Sequence, residues 1–144
     1  MKSMKDKFFL DTNVFIHAID TSPDLKRKRD VARHLIKEHI RNETGVISIQ
    51  VLQEFYHVST HKIQVPLSSE ETLEFLHYVA VLDTVHPELD MIVAGIRLHE
   101  KHRVSFWDAL IIQAALTAGC TRLLSEDLQH GLEIDRLTVE NPFM

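Results

Sequence analysis

One cysteine, four glycines and four prolines are all that this 144-residue chain has of the residues that staple, hinge or break a backbone. The lone thiol of Cys120 excludes an internal disulfide scaffold, in keeping with a reducing compartment. So little Gly and Pro excludes a low-complexity or linker-rich chain. No apolar run approaches the roughly 18 residues of a membrane span, so no membrane partner is expected. The start, Met1-Lys2-Ser3-Met4-Lys5-Asp6-Lys7, is basic, but only Phe8-Phe9-Leu10 follows before Asp11 intervenes. A secretory signal needs a longer apolar segment, and a cytoplasmic protein is the expectation. A positive balance is missing too: the net charge is −5. Lys26-Arg27-Lys28-Arg29 with Arg33 and Lys37 nevertheless concentrates six of the sixteen basic residues in one stretch. A charge run of this kind reads first as a solvated helix face.

With no repeat or linker in view, residues 1–144 are expected to form a single domain of ordinary composition, 44% hydrophobic and 26% charged. Strands are predicted at 7–10, 44–49, 81–85, 121–125 and 137–140. Between them, Ser22-Pro23, Ser68 with Glu71, Pro87 and Ser105 carry helix-start signals. Helix faces are read at Ala32, Leu35, Ile36 and Ile40, then Val51, Leu52, Phe55 and Val58, then Leu89, Ile92, Val93 and Ile96. The stretch from Ser105 to Ala118 is almost wholly apolar and should be a central helix, ended by Gly119. Strands alternating with helices imply a three-layer α/β domain around a parallel sheet.

Four acids stand beside apolar residues that should exclude charge: Asp11, Glu54, Asp108 and Asp127. A carboxylate in such a place must be paired, hydrogen-bonded or metal-bound. Each also has a purely structural account. Asp11 could be an N-cap, Asp108 the third-position acid of a capping box, Asp127 the cap of the turn before Gly131, and Glu54 a solvated helix flank. In an open parallel sheet the carboxyl ends of the strands form the ligand-binding edge, which collects Asp11, Asp127 and, from an early helical position, Glu54. The helix before Ser105 leaves the position of Asp108 open. Four carboxylates brought together would raise one another's pKa values and call for a divalent cation, hence metal-dependent phosphodiester chemistry.

The stretches Leu10-Asp11-Thr12-Asn13, Gln50-Val51-Leu52-Gln53-Glu54-Phe55, Ser105-Phe106-Trp107-Asp108-Ala109-Leu110-Ile111, Leu124-Ser125-Glu126-Asp127-Leu128-Gln129-His130-Gly131 and Asn141-Pro142-Phe143 occur in an order that resembles the PIN-domain ribonucleases, most closely the toxins of VapBC-type toxin–antitoxin pairs. The resemblance runs essentially end to end. It implies an α/β/α sandwich with a central parallel sheet of four or five strands. It also implies an acidic catalytic and metal site at Asp11, Glu54, Asp108 and Asp127, with Asp108 in the cleft. Thr12 or Asn13 and Ser125 match residues that orient that site. The activity implied is Mg²⁺- or Mn²⁺-dependent endoribonuclease cleavage of an RNA substrate, leaving 5′-phosphate and 3′-hydroxyl ends. A cognate antitoxin would be a partner and a homodimer the assembly. Glu126 is a candidate auxiliary acid or a solvated neighbour.

Other constellations carry less. His57 and His61 are four apart but lack a zinc-protease signature and a third ligand. Phe106 and Trp107 are read as core anchors rather than base-stacking platforms. A receiver-like phosphoacceptor would use Asp11 but leave Glu54 and Asp108 idle. A catalytically silent PIN-like module that binds RNA or a protein is the remaining alternative; retention of all four acids argues against it.

Overall fold

The computed structural model describes residues 5–144; residues 1–4, which open the basic N-terminal stretch, lie outside that part. Six strands and six helices follow: β1 (Phe8–Leu10), α1 (Thr12–Ile19), a 3₁₀ turn (Pro23–Leu25), α2 (Lys26–Arg41), β2 (Gly45–Ser48), α3 (Ile49–His61), α4 (Ser69–Val79), β3 (Asp83–Val85), α5 (Leu89–His102), α6 (Phe106–Thr117), β4 (Arg122–Leu124), β5 (Glu133–Ile134) and β6 (Leu137–Glu140). None of the described helices is long and apolar enough to cross a membrane.

The strands form one sheet in the order β3-β2-β1-β4-β6-β5. Its first five strands are parallel, as expected; the sixth, β5, runs antiparallel to β6 and is an addition to the expected sheet. It pairs with β6 across a tight turn in which Asp135 takes a left-handed φ of 54°. β1 lies between β2 and β4, with Phe8 opposite both Gly45 and Arg122. The chain runs outward from β1 to β2 and β3 on one side and then crosses to β4 on the other, so the switch point, and the crevice that accompanies it, falls at the carboxyl ends of β1 and β4.

Helices flank the sheet, α1 packing on α2 and α3 and α5 on α6. The core between them holds Phe9, Leu10, Phe15, Ile47, Phe55, Ile112 and Leu123, all fully buried. The predicted face of α2 is right at Ala32 and Ile36. That of α5 is rotated. Met91, Gly95 and Leu98 face inward, while Leu89, Val93 and Ile96 are exposed. Gly95 sits at this contact: a Cβ there would lie 2.8 Å from Leu110 Cδ2, so the glycine lets α5 approach α6 without moving the Leu110 side chain.

The basic run is less free than a solvated face would be. Arg29 donates to the carbonyls of Asp20 and Ser22, and Arg33 to that of Ala18, satisfying backbone acceptors at and beyond the end of α1. Arg27 donates to Phe143 O and holds down the C-terminal residues.

Candidate active site

The four acids come from four separate elements. Asp11 follows β1 and caps α1; its Oδ1 accepts from Thr12 N–H at 2.7 Å. Its own N–H donates to Leu124 O, extending the β1–β4 pairing into the site. Asp127 follows β4 after Ser125, Glu54 lies in the second turn of α3, and Asp108 in the first turn of α6. Gln50 donates from Nε2 to Trp107 O at 3.2 Å, tying the start of α6 to the start of α3 at the carboxyl end of β2. That contact carries Asp108 to the same rim, which the strand–helix order left open.

Ser125 is the hub. Buried completely, its hydroxyl donates to Asp11 Oδ2 at 2.8 Å and accepts from Asp127 N–H at 3.2 Å. Asn13 donates from Nδ2 to Asp127 Oδ1 at 2.9 Å. Of the two polar candidates after Asp11, Asn13 is therefore the one whose side chain orients an acid. The Thr12 hydroxyl is buried without a partner.

Burial separates the acids. Only Asp11, 6% exposed, fits the expectation of a charge enclosed by apolar residues; Asp108 is half-buried, and Glu54 and Asp127 are exposed at the rim. Burial pushes the Asp11 carboxyl up to about 6, Asp127 and Glu54 adding to the rise against the bonds from Ser125 and Thr12. Withheld water raises Glu54 as well, Asp108 and Asp127 reinforcing it while Gln50 opposes. Asp127 is raised by the same loss of water and by Asp108 and Glu126, with Asn13 opposing. The carboxylates thus act on one another as a cluster, and among the described residues none of the four has a Lys, Arg or His within ion-pair reach.

The structural accounts of single acids can now be separated. At Ser68–Glu71 both halves of a capping box are made, side chain to backbone in each direction. At Ser105–Asp108 only the serine half exists, Ser105 Oγ accepting from Asp108 N–H at 3.0 Å, and the Asp108 carboxylate is not spent on the cap. Asp127 turns toward Asn13 rather than toward the turn at Gly131. Glu126 is not a solvated neighbour: His17 and Lys28 bind its two oxygens. Burial pushes that carboxyl up, but Lys28 and His17 outweigh it and hold it below the usual range. Trp107 is no core anchor; it is 65% exposed beside the acids. Gln50 was given no role by the sequence reading, although it precedes Glu54 by one helical turn, and Trp107, which adjoins Asp108, was placed in the core.

The donor set is all carboxylate oxygen, which suits a hard divalent ion such as Mg²⁺ or Mn²⁺. No three His, Cys, Asp or Glu side chains among the described residues close into a ready-made cage. Ser125 and Asn13 fix the orientation of two of the carboxylates, Asp11 and Asp127. Larger cavities, such as one of ≈440 Å³ lined by Ile19, Arg33, Phe75 and Tyr78, lie away from the acids.

A family model for the PIN domain matches residues 8–132, a stretch that contains all four acids. The chain belongs to the PIN domain family. This PIN domain is similar to the structure of VapBC from Salmonella typhimurium bound to DNA, with a TM-score of 0.67 at 18% identity over 94% of this chain and 98% of that one. It is similar also to VapBC2 from Rickettsia felis bound to a promoter DNA fragment, with a TM-score of 0.66 at 21% identity over 92% and 96%. Mycobacterium tuberculosis VapC20, a sarcin-ricin loop cleaving toxin, matches with a TM-score of 0.65 at 15% identity over 84% and 92%. At these identities the likeness is one of fold. No curated protein matches the sequence.

Proposed function

We propose that this PIN domain is an endoribonuclease dependent on Mg²⁺ or Mn²⁺ and the toxin of a toxin–antitoxin pair. The observation that carries the reading is the grouping of four carboxylates from four elements, none with an ion-pair partner among the described residues, at the carboxyl edge of the sheet. Such a cluster is costly unless it serves to bind a cation. Asp11 and Asp108 would be the primary metal ligands, with Glu54 and Asp127 holding a second ion or orienting the attacking water. When bound, the ion would supply positive charge against the scissile phosphate and increase the acidity of water.

The chain's own residues set up that chemistry. Ser125 fixes one oxygen of Asp11 and the backbone of Asp127, so two donors from β1 and the β4 end keep a common geometry. Asn13 restrains Asp127, and Gln50 links the segments that bear Glu54 and Asp108.

The solved neighbours that pair a VapC chain with its antitoxin support an antitoxin partner here, whose segment would cover the acidic cleft. A homodimer is part of the same reading; exposed Leu73 and Tyr78 on α4 and Leu89, Val93 and Ile96 on α5 leave apolar surface for one. The test is an RNA cleavage assay with purified protein, with and without Mg²⁺, on wild type, Asp11→Asn and Asp108→Asn. Metal-dependent cleavage lost in both variants supports the reading; full activity in either overturns the site. A silent binding module would show neither cleavage nor thermal stabilisation by Mg²⁺.

A further inference from the structure

Beside the acids, and unused by the cleavage reading, lies a cavity of ≈150 Å³. Its walls are apolar, made by Trp107, Pro87, Met91 and Ile92, and Gln50 and Gln53 border it. Trp107 is 65% exposed in a helix whose buried residues begin at Ala109. Phe106 steadies it edge-on, with ring centroids 5.2 Å apart. Exposing the chain's single indole costs apolar contact and yields no bond within the fold, so its surroundings call for a ligand with a flat, stackable face.

Two features make that ligand part of the substrate. Trp107 immediately precedes Asp108 and Gln53 immediately precedes Glu54, so the cavity and the acidic cleft share both of their helix starts. Gln53 makes no hydrogen bond to the described residues and keeps a donor and an acceptor for an edge with both. Gln50 commits its amide N–H to Trp107 O and fixes the wall rather than reading the ligand. A flat ring with donor and acceptor edges, tethered to a phosphodiester a short distance away, is a nucleobase.

We propose that the Trp107 cavity is a nucleobase subsite, in which a base flanking the scissile phosphate stacks on the indole and meets Gln53 with its edge. The proposal rests on the ribonuclease reading, and its test separates the two. Trp107 is the only tryptophan, so its emission reports the cavity directly. Wild type and Gln53→Ala are titrated with the four nucleoside 5′-monophosphates and with ribose 5-phosphate as the baseless control. Saturable quenching by nucleotides but not by ribose 5-phosphate, weaker in Gln53→Ala, is expected. Cleavage of a short single-stranded RNA is then compared in wild type, Trp107→Phe and Trp107→Ala. Stacking of one base corresponds to roughly a tenfold effect; the alanine variant should lose about that factor in kcat/KM through KM, with the Mg²⁺ requirement intact, and phenylalanine should restore most of it. Nucleotide quenching without any RNA cleavage would remove the nuclease reading and leave the base site standing. Cleavage with an unchanged KM in Trp107→Ala would overturn the subsite alone. Emission that shifts on protein dilution but not with nucleotide would make the patch a contact between two copies and overturn it as well.

Discussion

The Ser125 hydroxyl and the Asp11 carboxylate, 114 residues apart in sequence, meet at 2.8 Å in the fully buried end of the β1–β4 pair. This bond holds the most enclosed acid of the site, and the same oxygen receives the backbone of Asp127. Ser125→Ala is expected to lower Mg²⁺ affinity and activity by about 10–100-fold, the usual effect of removing a residue that orients a ligand. Ser125→Thr, which keeps the hydroxyl, should retain more of both. Calorimetric Mg²⁺ titration of the three proteins checks this; equal affinities would show that Asp11 needs no such support.

Asp11 has a consequence for the metal-free protein. Its carboxyl rises from 3.8 to about 6 on folding, with burial the main cause, so the folded chain holds that proton more tightly than the unfolded one. The Asp11 contribution to stability without metal is therefore expected to fall as pH rises from about 4 to about 6 and to stay level above, by about 3 kcal/mol at roughly 1.4 kcal/mol per pKa unit. In chelator at pH 8, Asp11→Asn should be more stable than wild type, and the gap should close by pH 4. Urea unfolding across that range is the measurement, and parallel curves for the two proteins would contradict it.

Ser105 and Asp108 should part company when mutated. Ser105→Ala removes the cap at the start of α6 and is expected to cost about 1 kcal/mol of stability while sparing the response to Mg²⁺. Asp108→Asn leaves the serine cap in place and should cost only about 0.3–1 kcal/mol through the helix dipole, yet abolish cleavage. Denaturation midpoints and single-turnover RNA cleavage, read on both variants, distinguish a capping acid from a functional one.

Glu126 is predicted to matter for the fold rather than for the metal. Half-enclosed between His17 and Lys28, it ties α1 and α2 to the loop after β4. Glu126→Gln should reduce stability by about 1–2 kcal/mol, between the values for exposed and buried pairs, with Mg²⁺ affinity unchanged. A large fall in Mg²⁺ affinity would instead make Glu126 an auxiliary acid of the site.

How much of this was legible in the sequence follows from where local pattern decides and where packing does. The parallel strands were visible because apolar β-branched runs alternate with capped helices. β5 was not: Glu133 and Ile134 are too few to show a period, and Asp135-Arg136 carries no glycine to announce the turn. In α5 two apolar stripes compete, and the one through Met91, Gly95 and Leu98 faces inward, with Gly95 against Leu110. In α6 nearly every residue is apolar, so hydrophobicity gives no phase and the exposure of Trp107 could not be foreseen. The acids themselves could be picked out from their neighbours. Their partners Ser125 and Asn13 came from the family resemblance, while Gln50 needed the fold.

The placement of β4 between β1 and β6 also sets a clock on the chain's own synthesis. Asp11 and Glu54 are synthesised well before the strand that must slot beside β1 and deliver Asp127 and Ser125, and Asp108 only one helix ahead of it. Until that late strand docks, Asp11 lacks the hydroxyl that holds it, and the cluster is incomplete. On the proposed ribonuclease reading, a nascent copy would be unarmed until the segment that carries Ser125 and Asp127 has been made and has docked.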